Sequence, residues 1–255
     1  MFICLRALLV TDRQINDLTI VNTLENIVLC LDTATEICSV AVARGEKVLA
    51  FRENADGKSH AKTLLPFVDE VVKEAGISIR EVDAVAVSMG PGSYTGLRIG
   101  SSTAKGLCYS LEIPMIAIPT LQIIAAGAAK QRTADENAVF CPMLDARRME
   151  VFTALYDNHL QPLTEVSSQI VDEHTFADIL TKKNVVFCGN AVEKCREILS
   201  KNPNALFDST PISSINMVDL ALQKLSRQQF EDIAYFEPFY LKEYVAAKPH
   251  VKGLV

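Results

Sequence analysis

The sequence predicts an α/β fold built from a β-β-β-α-β-α unit used twice, and three observations carry that reading. An apolar strand ending in Leu-Asp occurs at Ile27-Val-Leu-Cys-Leu-Asp32 and again at Val139-Phe-Cys-Pro-Met-Leu-Asp145. Each is followed by a strand of alternating character, Cys38-Ser-Val-Ala-Val-Ala43 and Glu150-Val-Phe-Thr-Ala-Leu-Tyr156, the period that turns one strand face toward a core. In each half a later apolar strand runs into a glycine turn and a helix. That turn is fully developed at Gly90-Pro-Gly-Ser-Tyr-Thr-Gly-Leu-Arg-Ile-Gly100 and much reduced at Gly189-Asn-Ala.

The first half opens as a three-stranded meander, because Lys47-Val-Leu-Ala-Phe51 follows the second strand across a turn at Gly45. Ser59 is placed to cap a helix whose apolar positions Ala61, Leu64, Leu65, Val68, Val71, Val72 and Ala75 keep helical spacing, with Gly76 just past its end. Pro66 should kink this helix, since it offers no donor to the Lys62 carbonyl. A strand over 82–88, the glycine loop, a helix over 94–111, a strand over 115–118 and a helix over 121–129 complete the half. The second half echoes it with strands over 139–145, 150–156 and near 163–171, a helix near 175–181, a strand over 184–189 and a further helix.

Such a duplication gives two sheets of like topology facing each other across a cleft. The actin, Hsp70 and sugar-kinase (ASKHA) architecture is built this way. There the turns after the first strand of each half face the cleft, which is where Asp32 and Asp145 fall. The expected division is an extension over 1–26, a first domain over 27–118, a second over 119–233 and a C-terminal segment over 234–255.

Composition narrows the function. Of 255 residues, 49% are hydrophobic and 22% charged, which excludes a disordered chain. The 25 basic and 31 acidic residues give a net charge of -6 with no dense run of Lys or Arg, so strong attraction to a nucleic acid must come from another subunit. Seven cysteines form no CxxC pair and read as reduced core thiols of a cytoplasmic protein. The first ten residues only faintly resemble a leader, because Arg6 interrupts them and no small-residue cleavage site follows. No apolar stretch approaches the roughly 20 residues of a membrane span.

The glycine loop enters a helix N-terminus, where backbone donors favour an anion. Its spacing nevertheless fails the phosphate-loop and dinucleotide templates, with Thr95 standing where each needs glycine. Ser93 likewise fails as a nucleophile elbow. An anion cradle and a tight turn without a ligand both remain. In the following helix Gly96, Gly100 and Ala104 make a smooth stripe at four-residue steps, which suggests close approach of a helix of the same chain or of a partner.

Asp32 and Thr33 are candidates for holding magnesium near a nucleotide; the alternative is a side chain that caps its own turn. Asp145 and Arg147, in Asp145-Ala-Arg-Arg148, are candidates for a cleft ion pair or an anion site, or for an ordinary pair fixing a strand end. The four histidines are scattered without HxxxH or HExxH spacing, so no metal site and no cofactor are expected.

Four segments in order, Leu29-Cys-Leu-Asp-Thr-Ala-Thr35, Ser59-His-Ala-Lys-Thr-Leu-Leu-Pro66, Gly90 to Gly100 and Leu144-Asp-Ala-Arg-Arg148, resemble the bacterial TsaB (YeaZ) family. This family supplies the dimerisation subunit of the tRNA threonylcarbamoyladenosine machinery. The resemblance covers about 27–241, with Glu237-Pro-Phe-Tyr-Leu241 like the family's closing segment and Lys242 where Arg is common. Residues 1–26 match nothing in it; of a lineage-specific extension and a start placed too early, the second is the expectation.

The resemblance implies a non-catalytic paralogue of TsaD, the subunit that transfers threonylcarbamoyl to the adenosine beside the anticodon and carries metal-binding histidines in an HxxxH pattern. Here Leu64 stands four residues after His60, which also weakens the older reading of the superfamily as M22-like metallopeptidases. The implied partners are a TsaD-like paralogue and a TsaE-like ATPase, with a homodimer when the chain is alone, tRNA reached only through the complex, and no membrane. In the family the contact surface lies on the first two helices of the N-terminal domain. They map here to 60–76 and 94–111, with His60, Thr63, Leu64, Phe67, Tyr94, Gly96, Arg98, Gly100 and Ala104 as the expected interface. The alternative class is an ATP-dependent small-molecule kinase or ATPase working in the cleft.

Overall fold

The computed structural model describes residues 25–56, 60–132 and 137–242. Nearly all of the 1–26 extension and Ser59, the expected helix cap, lie outside them. The first half comprises β1 (Ile27–Asp32), β2 (Cys38–Arg44), β3 (Lys47–Asn54), α1 (His60–Glu74), β4 (Ala84–Gly90), α2 (Tyr94–Leu111), β5 (Met115–Pro119) and α3 (Thr120–Gln131). The second comprises β6 (Val139–Asp145), β7 (Glu150–Thr153), β8 (Ser167–Ile170), α4 (Ala177–Leu180), β9 (Val185–Cys188), α5 (Val192–Leu199), β10 (Ala205–Phe207) and α6 (Val218–Ser226).

The duplication extends one strand and one helix beyond the expected unit. The sheets run β3-β2-β1-β4-β5 and β8-β7-β6-β9-β10. In each, the first three strands pair antiparallel and the remaining pairings are parallel. Together with the central helices this is the two-domain ASKHA-like architecture.

Burial on both faces explains why β1 and β4 read as unbroken apolar runs. Leu29, Leu31, Val85 and Val87 meet Leu64, Val68 and Val71 of α1 and Ala104 and Cys108 of α2. Val28, Cys30, Ala84 and Ala86 meet Ile123 of α3 and Val218 and Ala221 of α6. Helix α3 turns its other side, Leu121, Ile124, Ala125 and Ala128, to Phe140, Leu144 and Val186 of the second sheet, so one helix joins both cores. The outer face of the second sheet packs on α4 and α5 through Phe187, Leu180 and Cys195.

Helix α1 ends as its sequence requires, with Gly76 at φ +67 and its N–H donating to the Lys73 carbonyl. Pro66 sits on an exposed position within the helix. Six cysteines are free and buried; burial pushes the Cys30 and Cys141 thiols up to about 12, which removes thiolate chemistry. Among the described residues no helix is long and apolar enough to cross a membrane.

The expected seventh strand is cut to four residues, with Tyr156 making only an isolated bridge to Phe140. The helix expected near 175–181 is a single turn, where its counterpart α1 has 15 residues. That truncation leaves the β7–β8 face open as a cavity of about 250 Å³ lined by Thr153, Ser167, Gln169 and Phe176.

Candidate functional site

The glycine loop is a sealed junction. Ser93 caps α2 by accepting from the Gly96 N–H at 3.2 Å, and its own N–H donates to the Ala34 carbonyl at 2.7 Å. The Gly90 N–H donates to Thr120 Oγ1 at 3.2 Å. These three amides are therefore spent within the chain, and the anion-cradle reading loses the donors it needed. The Gly90–Pro91 peptide is cis. Side chains are excluded by close backbone approach: a Cβ on Gly90 would overlap the Phe239 carbonyl, and one on Gly92 the Ala34 carbonyl.

The small-residue stripe of α2 faces inward. A Cβ on Gly96 would overlap the Thr33 carbonyl and one on Gly100 the Thr33 hydroxyl, while Thr33 Oγ1 donates to the Gly96 carbonyl at 2.7 Å. Gly96, Gly100, Ala104 and Leu64 are all buried in the chain's own core, which corrects their placement on a partner surface. The physical reason is that the β1–β2 turn, not a second chain, occupies the groove the glycines open.

His60 is corrected in the same way. It is buried, and its Nε2 lies 2.8 Å from the Thr35 carbonyl, so Nε2–H donates and fastens α1 to the β1–β2 turn. Tyr94 and Arg98 are engaged by the chain's own end: Tyr240 stacks on Tyr94 with centroids 4.9 Å apart, and the Arg98 guanidinium lies 4.4 Å over the Tyr94 ring. Hydrogen bonding to Tyr240 raises the Arg98 pKa further. Phe239 N–H reaches the Met89 carbonyl at 2.7 Å. Thr63 and Phe67 are half-buried, and what α1 and α2 expose outward is instead Leu65, Pro66, Gly106 and Tyr109, the last 81% exposed.

The two cleft aspartates differ sharply. Asp32 is 1% exposed; Oδ1 accepts from the Ala34 N–H at 3.0 Å, and Oδ2 has no hydrogen-bond partner. Burial raises its pKa against the opposing pull of the Ala34 amide, the Ser88 hydroxyl and His60. Asp32 and Thr33 thus lie beneath the turn and present nothing to the cleft. Asp145 is exposed and pairs with Lys194; its Oδ1 also accepts from the Arg147 N–H at 2.9 Å. Partial burial pulls its pKa up, but Lys194 and the Arg147 amide outweigh that and hold the carboxyl below its usual range.

The cleft itself is lined by Glu36, Asn190, Glu193 and Asp208. Asn190 was not foreseen, although an Asn after a turn glycine is a signal. It accepts from the Asp145 N–H at 2.9 Å and donates to Glu36 at 3.3 Å, joining the two halves. Lys194 and Tyr240 were also missed, because spacing along the chain carries no trace of contacts made across 49 or 146 residues.

The family model for TsaD, tRNA N6-adenosine threonylcarbamoyltransferase, matches residues 53–255. The tRNA threonylcarbamoyladenosine biosynthesis protein TsaB of Haemophilus influenzae is 31% identical over 86% of this chain and 95% of its own length. This chain belongs to the TsaB family. TsaB of Escherichia coli is 30% identical, over 87% of this chain and 96% of its own. YeaZ from Pseudomonas aeruginosa superposes with a TM-score of 0.73 at 25% identity, covering 85% of this chain and all of that one. The sealed glycine junction is thus a feature of a TsaB-family chain, and the fold matches that of a solved YeaZ across both halves.

Proposed function

We propose that this chain serves tRNA threonylcarbamoyladenosine biosynthesis as a non-catalytic subunit that binds a TsaD-like catalytic paralogue and, with it, a TsaE-like ATPase. The place in that process is carried by TsaB relatives matched over nearly their whole length. The non-catalytic part rests on His60, whose imidazole is spent on the Thr35 carbonyl with Leu64 at the fourth position after it. Among the described residues no group of three or more His, Cys, Asp or Glu could hold a metal ion.

The docking surface is the outer side of α1 and α2, with Leu65, Gly106 and Tyr109 replacing the buried stripe as its contact residues. A pull-down with the TsaD-like subunit should recover a complex, and Leu65→Glu should weaken both that complex and the homodimer while the circular dichroism spectrum is kept. Two folded proteins that fail to associate would end this reading. The kinase or ATPase alternative is tested by calorimetry with Mg-ATP. No heat is expected, because Glu36, Glu193 and Asp208 in the cleft oppose a polyanion.

A further inference from the structure

We propose that the β6–β7 hairpin, through Arg147 and Arg148, holds the phosphodiester backbone of the RNA carried by the assembled complex. The inference rests on the reading above for the identity of the polyanion and on the hairpin's own geometry for the contact.

The turn closes through the Ala146 N–H to the Glu150 carbonyl and the Glu150 N–H to the Arg147 carbonyl, both at 3.1 Å. Between them Arg147 has φ +74 and Arg148 φ +49. Two successive left-handed residues are a place for glycine or asparagine, since a larger side chain crowds its own following carbonyl. Arginine at both positions works against the backbone, and strain of this kind accompanies side chains kept for what they touch.

The charges around the tip point to the same use. Asp145 is paired with Lys194, and Glu150 with Lys242 and the Ser168 hydroxyl. Both acids of the hairpin are therefore already neutralised by lysines from elsewhere in the fold. Arg147 and Arg148 are exposed, and neither has an ion-pair, hydrogen-bond or ring partner among the described residues. The result is two uncompensated guanidinium forks on a chain of net charge -6. They are also preorganised, because Asn190 accepts from the Asp145 N–H and Lys194 Nζ donates to the Glu150 carbonyl at 2.7 Å. Paired planar forks suit phosphate oxygens, and two contacts agree with a chain that leaves most of the grip to another subunit.

The test uses the complex reconstituted with the TsaD-like subunit, an unmodified tRNA transcript and fluorescence anisotropy over a salt series. Arg147→Gly/Arg148→Gly removes both charges and gives the turn the residue it prefers, so the variant should melt no lower than wild type. Its tRNA affinity should fall roughly tenfold, and the slope of log affinity against log salt should flatten by about two. Arg147→Lys/Arg148→Lys should recover the slope in part. Unchanged affinity and slope would overturn the inference and leave the proposed function standing. Loss of the TsaD-like subunit from the glycine variant would also overturn it, by showing a protein contact. Failure of the wild-type pair to associate would remove both readings.

Discussion

In the first half the turn after β1 lies beneath a helix and the chain's closing segment, and Asp32 is shut away with Thr33 against the glycines of α2. In the second half the matching turn after β6 stands open, and Asp145 meets water and Lys194. Strand order and pairing are the same in both. The difference lies in the following helices: α2 brings Gly90, Gly92, Gly96 and Gly100 close enough for backbone to press on backbone, whereas the reduced second turn leaves that space to Asn190 and Lys194. A repeated topology thus fixes where two turns sit and leaves their packing to a few small residues.

The sharpest way to break this comparison is within α2 itself. Gly100→Glu should cost more than about 4 kcal/mol, because it forces a carboxylate into the Thr33 contact. Gly106→Glu, where a Cβ meets nothing within 4 Å, should stabilise by roughly 0.5–1 kcal/mol from helix propensity alone. Urea unfolding of the two variants reads the contrast directly. Equal effects would place both glycines on the surface.

The aspartates should show opposite pH signatures. Asp32 has a raised folded pKa, so its carboxyl supports the fold while protonated and that support is lost as pH rises through the raised value. Asp32→Asn keeps the Ala34 bond and cannot ionise. It should gain on wild type with increasing pH, on the order of 1–2 kcal/mol by pH 8. Asp145 has a lowered pKa, so its contribution is present above the unfolded value near 4 and is lost as pH falls. Asp145→Asn should cost under about 1 kcal/mol at pH 7, since the Lys194 pair is partly in water. Melting curves across pH 3 to 8 should diverge in opposite senses, and parallel curves would cancel the distinction.

The smallest effect belongs to the closing segment. Tyr240→Ala removes the stack on Tyr94 and should cost about 1 kcal/mol. Because it also frees the outer edge of the α2 N-terminus, proteolysis after residue 236 should quicken. A variant as resistant as wild type would mean the segment is held mainly by Phe239 and Lys242.

Much of this was legible in the chain. Helix α2 begins and ends at the expected residues, and β6 matches its expected span, because apolar periodicity reports directly on which positions face a core. The same periodicity names a face of α2 without saying what meets it, which is why Gly96, Gly100 and Ala104 pointed equally to a partner and to Thr33. Strand β10 escaped notice because its three residues are half-buried and too few to show a period. Helix α6 carries its signal in Val218, Ala221 and Leu222, but nothing in the first half of the sequence announces that β1 needs a cover from so far away.

That distance bears on how the protein is made. The inner face of the first sheet is covered by α6, Lys224 Nζ donates to the Ala117 carbonyl at 2.7 Å, Glu231 bridges to Met115, and Phe239 lies over Gly90. A nascent chain emerging from the ribosome therefore holds the first sheet unfinished until more than 200 residues have been synthesised, although domains generally fold in order from the N-terminus. Through that interval Val28, Cys30, Ala84 and Ala86 lack their permanent cover. The earliest sheet to be translated is among the last to be completed.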